Sequence, residues 1–421
     1  MAMLPPPSRS TSTVSTLIAD SSYGLVQPDT FTTGPAKGGL KLVDVGQQIG
    51  VASGGPFGTY ASGGIALTFT DVLGNRMLGT SFGINGGFSD ISAQVIYVNR
   101  GSRWNWGVFG NRAPYLSGSA ASGYATQNGQ TVFVQQVDRL RQTYQEGGAF
   151  TAYPLSSATR VEFSGSLQHI GFDRELQTVI FDPVTGGVLS DQTTKIPTAG
   201  SLRLVGTSVS LIRDTSIPGP TGPLAGQRVH LEVGPTWGDL QLINFTADYR
   251  QYFMPRAIRP LTLASRVMHV GRYGGSAEDS RLVPLFLGYP EFVRGYDINS
   301  FDASDCPPSA QATCASFDRL LGTRVAVGNF EVRAPLVGLF KGRMDYGRLP
   351  VDVFAFADTG IAWTAAIRPS FAGGTRDFVS SVGGGLRMNL FGFAIGEMNI
   401  VRPINRPQRG WMFVFALKQG Y

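Results

Sequence analysis

Charge is scarce in this 421-residue chain: Lys, Arg, Asp and Glu make up only 15% of it, where a typical soluble domain carries about 25%. Long apolar runs are lacking too. No stretch reaches the roughly 18 apolar residues that a membrane-crossing helix needs, and the mean hydropathy of +0.02 is too low for a helical membrane protein. Helical periodicity is nowhere sustained. Histidine is limited to His169, His230 and His269, and cysteine to Cys306 and Cys314. No zinc-ligand spacing exists, and neither a metal nor a cofactor is expected. Phosphate-binding loops and nucleophile elbows are missing as well.

Glycine is abundant, with 55 residues and no Gly-X-Y period. Little charge and no long apolar run suit a transmembrane β-barrel, in which each strand needs only one apolar face. The net charge is +6, but the arginines are scattered, often with an acid two residues away. A nucleic-acid binder clusters its basic residues among aromatics, so no nucleic-acid partner is expected. Residues 1–38 are rich in Pro, Ser, Thr and Gly and read as a flexible N-terminal arm or linker. From Gly39 to residue 421 the pattern has period two, interrupted by turn residues.

The clearest strand spans 240–252. Ile243, Phe245, Ala247 and Tyr249 fall on one face, Asn244, Thr246, Asp248 and Arg250 on the other. In the same way Arg228, His230 and Glu232 oppose Val229, Leu231 and Val233, and Glu162, Ser164, Ser166 and Gln168 oppose Val161, Phe163, Gly165 and Leu167. About sixteen such segments are expected, near 41–53, 60–72, 76–86, 89–99, 103–112, 141–153, 160–172, 198–212, 226–237, 240–252, 259–271, 321–334, 349–363, 377–390, 391–403 and 409–419. An even number puts both ends on one side. Long loops at 113–140, 173–197, 272–320 and 364–376 then share the other side, as in outer-membrane barrels. The connections 213–225 and 335–348 break the rule, being long on the short-turn side. The fold expected is all-β: a transmembrane antiparallel β-barrel of about sixteen strands. A large soluble β-sandwich or propeller is the alternative, and it would need the apolar faces to meet one another.

Trp411, Phe413, Phe415 and Leu417 share one face of the last segment, and Tyr421 ends the chain on that face. This resembles the C-terminal recognition signal of bacterial outer-membrane barrels; an ordinary edge strand is the alternative. Tyr97, Trp104, Trp106, Tyr115 and Trp363 lie near expected strand ends and suit an interfacial girdle.

The longest expected loop, the sixth on its side, carries Phe292-Val293-Arg294-Gly295-Tyr296-Asp297. Glu331 lies on the lumen face of the twelfth segment, and Phe354, Phe356 and Asp358 on that of the thirteenth. Arg294 on an inward-folded loop can bond both carboxylates, since a guanidinium is planar, always charged and offers five donors. Gly295 allows a tight turn beside it. Phe292 and Tyr296 are expected to pack against Phe354 and Phe356. Val293, Arg294, Gly295, Tyr296, Glu331, Phe356, Asp358 and Gly360 thus form a candidate loop lock, structural or gating rather than catalytic.

This combination resembles the bacterial surface-antigen barrels, the superfamily of BamA, TamA and the two-partner secretion transporters. Its signature is a Val-Arg-Gly-Phe/Tyr tetrapeptide at the tip of the sixth outer loop, an acid on the twelfth strand and Phe-x-Asp-x-Gly on the thirteenth. Val293 to Tyr296, Glu331 and Phe356 to Gly360 match in that order. The segments Phe69 to Asn75 and Asn99 to Trp106 also resemble the barrel end of longer propeller-barrel proteins. The resemblance implies a bacterial outer-membrane location and lipid or lipopolysaccharide around the wall. It also implies a role in protein insertion or polypeptide translocation, with unfolded outer-membrane or secreted polypeptides as partners.

Family members carry periplasmic POTRA domains ahead of the barrel, whereas about forty residues stand there here. The start, MAMLPPPSRSTSTVSTLIADSSYG, also lacks an apolar core of signal-peptide length. A membrane anchor or narrow pore, the barrel half of a larger protein with a periplasmic soluble domain, is therefore the alternative. No enzymatic role is expected: a lone lumen histidine such as His230 is usually structural. Cys306 and Cys314 could close a small disulfide ring in an oxidising compartment, stabilising by about 2–3 kcal/mol, or stand as two thiols.

Overall fold

The computed structural model describes residues 39–421 apart from 53–59, 86–89, 128, 302–304, 306–313, 391, 393, 407–408 and 420–421; at 47–52, 60–62, 85, 299 and 417–419 it describes the backbone alone. The arm at 1–38, Cys306 and Tyr421 lie outside the described residues.

Strands β1 (Lys41–Ala52), β2 (Tyr60–Thr70), β3 (Arg76–Asn85), β4 (Ile91–Asn99), β5 (Asn105–Gln127), β6 (Gln130–Pro154) and β7 (Thr159–Phe181) follow one another as an antiparallel meander. The far end of β7 pairs with β8 (Val188–Ile196), and its near end with β9 (Leu202–Asp214). The meander continues through β10 (Gly226–Gly238), β11 (Leu242–Phe253) and β12 (Thr262–Tyr273). Two short strands, β13 (Leu285–Phe286) and β14 (Leu321–Gly322), pair with each other inside the next loop. Strand β12 pairs onward with β15 (Arg324–Pro335), followed by β16 (Val351–Trp363), β17 (Val379–Leu390), β18 (Ala394–Pro403) and β19 (Met412–Gln419). Apart from β8, β13 and β14, sixteen strands build the wall of one antiparallel barrel.

Alternation decides which way the wall faces. Val267, Phe330 and Phe413 are 65%, 47% and 69% exposed, while their neighbours Met268 and Glu331 are buried. An outer surface of exposed apolar side chains around a charged interior is the arrangement of a membrane barrel, with lipid outside. Among the described residues no helix is long and apolar enough to cross a membrane; the crossing is made by strands.

The expected segments near β1 to β4, β9 to β12 and β15 to β19 lie within a few residues of the observed strands, while β13 falls inside the expected loop 272–320. The long loops expected at 113–140 and 173–197 are a correction, because strands occupy most of both. Strand β5 runs on to Gln127 and pairs with β6 throughout, and β7 and β8 form a further hairpin. The stretch Ser117 to Ala125 reads as turn composition in isolation. In place it is paired residue for residue with the Val132, Val134 and Val137 stretch of β6, and cross-strand pairing overrides weak local propensity. Tyr124, Phe133 and Phe181 stack across this flap, with ring centroids 5.4 and 6.2 Å apart.

The sixth outer loop, 274–323, folds inward. The β13–β14 ladder pins its base. Val293, Tyr296, Leu287 and Leu320 from the loop are fully buried against Met268, Val325, Val327, Ala362 and Val379 of the wall. This cluster is the apolar core of the molecule's outer half.

Candidate functional site

A turn sets the tip of the loop. The amides of Phe292 and Val293 both donate to the Tyr289 carbonyl, at 2.8 and 3.2 Å. Gly295 then takes φ +85°, a left-handed conformation that glycine adopts without strain. A methyl group there would stand 2.8 Å from Val401 Cγ1. This reversal aims Arg294 into the lumen and Tyr296 back into the apolar cluster. The Tyr296 hydroxyl donates to the Ser380 carbonyl at 3.0 Å and accepts from the Asn405 amide at 3.2 Å. Burial pushes its pKa up, so it stays a neutral donor.

Arg294 grips Asp358 through two parallel bonds, Nε to Oδ2 at 2.7 Å and Nη2 to Oδ1 at 2.9 Å, and its own amide adds a third at 3.2 Å. The guanidinium carbon lies 3.4 Å from the Phe356 ring centre. Asn329 donates to Asp358 Oδ1 and to the Phe292 carbonyl, at 2.9 and 2.8 Å, tying strand, acid and loop together. Gly360 completes the fit: a methyl group there would come within 2.8 Å of both Leu287 and Val293.

The second carboxylate behaves differently from expectation. Glu331 lies 3.5 Å from Arg294 Nη1, but both its oxygens accept from Arg387, at 2.9 and 3.0 Å. Arg387 Nε donates onward to Glu397 at 3.0 Å, and Arg333 Nη1 lies 3.5 Å from Glu331. The expected single guanidinium between two acids is thus a cluster of three arginines and three acids: Arg294, Arg333, Arg387, Asp358, Glu331 and Glu397. The expected aromatic packing is corrected too. Phe354 and Phe356 pack with Val401 and are covered by Arg387 and Arg294, at 4.6 and 3.4 Å from their respective rings. Tyr296 belongs to the outer apolar cluster, and Phe292 packs against that cluster from the loop.

Arg406, from the last outer loop, was not singled out in the sequence. It is buried and holds the loop just beyond Gly295. It donates to Asp305 at 3.2 and 2.7 Å, to the Gly295 carbonyl at 2.9 Å, to Ser300 Oγ at 2.7 Å and to the Ser300 carbonyl at 2.8 Å. Arg387 and Glu397 carried the same signal that marked Asp358, a lone charge in an otherwise apolar or small-residue stretch, whereas Arg406, between Arg402 and Arg409, carried none. Cys314, in the same loop, is disulfide-bonded.

Among the other expected residues, Trp411, Phe413 and Phe415 project outward and are exposed; Leu417 lies in β19, where only the backbone is described. Trp106 stacks on Tyr97 at 5.6 Å, Trp104 on Tyr153 at 4.8 Å and Trp363 on His269 at 5.5 Å. Tyr115 is a correction: β5 continues past it, and it lines an inner cavity beside Tyr144 and Arg112. His230 sits 3.2 Å from Glu232 on the lumen face.

A sixteen-stranded wall with an apolar exterior and a lumen filled by an ion-paired loop defines a plugged transmembrane β-barrel. Comparison narrows the class. A profile of the Omp85 superfamily domain matches residues 79–410, and the chain belongs to that superfamily; its place is the bacterial outer membrane. Among solved structures, BamA from Haemophilus ducreyi lacking POTRA domains 1–3 is similar at 13% identity and a TM-score of 0.55, over 89% of this chain and 70% of that one. CdiB from Escherichia coli is 12% identical with a TM-score of 0.49, over 93% and 68% of the two chains. CdiB from Acinetobacter baumannii is 13% identical with a TM-score of 0.45, over 91% and 60%. At 13% identity the likeness to that BamA structure shows the fold alone. No curated protein matches the chain.

Proposed function

We propose that this barrel serves outer-membrane protein insertion or polypeptide translocation, with the Arg294 lock holding the sixth loop in the lumen between events. The observation that carries the reading is the bidentate Arg294–Asp358 pair, covered by Phe356 and Asn329, within a chain of the Omp85 superfamily. A closed lumen favours lateral traffic. Strands β1 and β19 end the ladder, and a client strand could add to an open edge there. The test is a scan of cysteine pairs between β1 and β19, assayed for client insertion or export before and after oxidation. Loss on cross-linking and recovery on reduction is the expected result; full activity with the seam locked overturns the reading.

A second reading is a narrow pore or membrane anchor forming the C-terminal barrel of a larger protein. It is favoured by a cavity of about 870 Å³ between the wall and the loop residues Val283 to Leu285 and Tyr289. Single-channel recording tests the pore part of this reading: conductance in the unchanged chain supports a narrow pore, and none in any variant leaves the anchor.

A further inference from the structure

The connection between β9 and β10, on the periplasmic side opposite loop six, does not lie on the rim as a surface turn does. It is a tight hairpin: the Ile217 amide donates to the Ala225 carbonyl and the Leu224 amide to the Ile217 carbonyl, both at 2.8 Å, and the Gly219 amide to the Gly222 carbonyl at 3.0 Å. Its base is exposed at Ile217, but its tip, Thr221, Gly222 and Pro223, is buried. The tip reaches away from its own strands to β15, β16 and β17. Thr221 Oγ1 donates to Asp352, Asn389 Nδ2 donates to the Pro220 carbonyl, and Gly222 lies under the Arg333 guanidinium so closely that a methyl group would stand 2.8 Å from Nη1.

Two further observations bear on what this hairpin does. Arg333 Nε, Arg333 Nη2 and Asp352 Oδ1 are buried with no hydrogen-bond partner among the described residues. A buried polar atom without a partner costs free energy, and lifting the tip would give all three access to water. A chamber of about 580 Å³ also lies inside the barrel, bounded on one side by Thr221 and Pro223 and on the other by Glu291 and Arg294. Loop six and the hairpin therefore face each other across one space in the lumen, and Glu331 reaches both Arg294 and Arg333, at 3.5 Å each.

We propose that residues 215–225 are a second plug, closing the lumen from the periplasmic side, so that the barrel is gated twice in series. The proposal rests on the lumen being the blocked path described above. It adds that release of Arg294 alone does not open that path.

The test is planar-bilayer conductance of the full chain in four forms: unchanged, Arg294→Ala, Gly222→Leu, and both together, each shown to be folded by its gel shift on boiling. Two gates in series predict that each single variant stays near the unchanged protein and that the pair conducts several-fold more than either. Arg294→Ala alone matching the pair overturns the second plug. Gly222→Leu alone matching the pair upholds the second plug and overturns loop six as the outer one. Four equal conductances overturn the proposal. A readout without a core substitution is labelling by a membrane-impermeant maleimide. Thr221→Cys is expected to be protected and Ile217→Cys to react; equal labelling of the two overturns the proposal.

Discussion

Asp358 is 3% exposed and Arg294 9%, so the pair is largely shielded from solvent. Two charges so placed hold each other only while both are present. Removing one leaves an uncompensated buried charge, at a typical cost of about 3–5 kcal/mol. Arg294→Ala is expected to lower the temperature at which the boiling-dependent gel shift is lost. Arg294→Lys should recover part of that loss, since an ammonium keeps the charge but not the parallel pair of bonds; full recovery would show that charge alone matters. Gly360→Ala tests fit rather than charge. Its methyl would crowd Leu287 and Val293, and overpacking of this kind costs about 1–3 kcal/mol. The same melting assay reads it, and an unchanged midpoint would mean that the loop gives way.

At the scale of elements, loop six is held by three different kinds of contact: the apolar cluster around Val293 and Tyr296, the ionic cluster around Arg294, and the Arg406–Asp305 clamp. Arg406→Ala removes only the third, and leaves Asp305 with Arg409 at 3.0 Å. Faster proteolysis within 274–323, with the barrel itself still heat-shiftable, is the expected result. Unchanged cleavage would show that the clamp is redundant. The flap is a separate element. Strand β4 pairs with β5 only as far as Arg112, and beyond that β5 is paired with β6. Replacing residues 114–141 by a short turn is expected to preserve the gel shift; loss of the folded band would mean that the flap supports the wall. In the periplasmic loop at 336–350, Gly338 is buried and residues 339–343 are exposed; burial, with Asp352 close by, pushes the Tyr346 phenol up to about 12.

At the scale of the whole molecule, the two long connections that broke the sidedness rule, 213–225 and 335–348, are the ones that meet near Asp352. Their length was legible in the sequence as an exception, and the structure accounts for the first of them: its tip, Thr221 to Pro223, is buried in the lumen, whereas the second stays exposed from Leu339 to Arg343. Outer-membrane fractionation with unheated and boiled samples tests the barrel as a unit. A band in the outer-membrane fraction that shifts on boiling is expected, and a soluble band without a shift would contradict the fold.

The sequence by itself determined the wall. Period-two alternation, scarce charge and the spacing of turn residues place sixteen strands, because a membrane strand must present one apolar face whatever its neighbours are. It also marked Arg294, Glu331 and Asp358, since a lone charge in such a strand needs a partner. Only the tertiary structure decided who pairs with whom. Glu331 serves Arg387 before Arg294, Glu397 joins as a third acid, and Arg406 reaches back to Asp305, because the register of the neighbouring strands β15 to β18 and the inward fold of loop six set these side chains side by side, which no local pattern encodes. The same holds for the flap and the periplasmic hairpin. Their local composition reads as turn and loop, and their form comes from the strands and side chains against which the fold sets them.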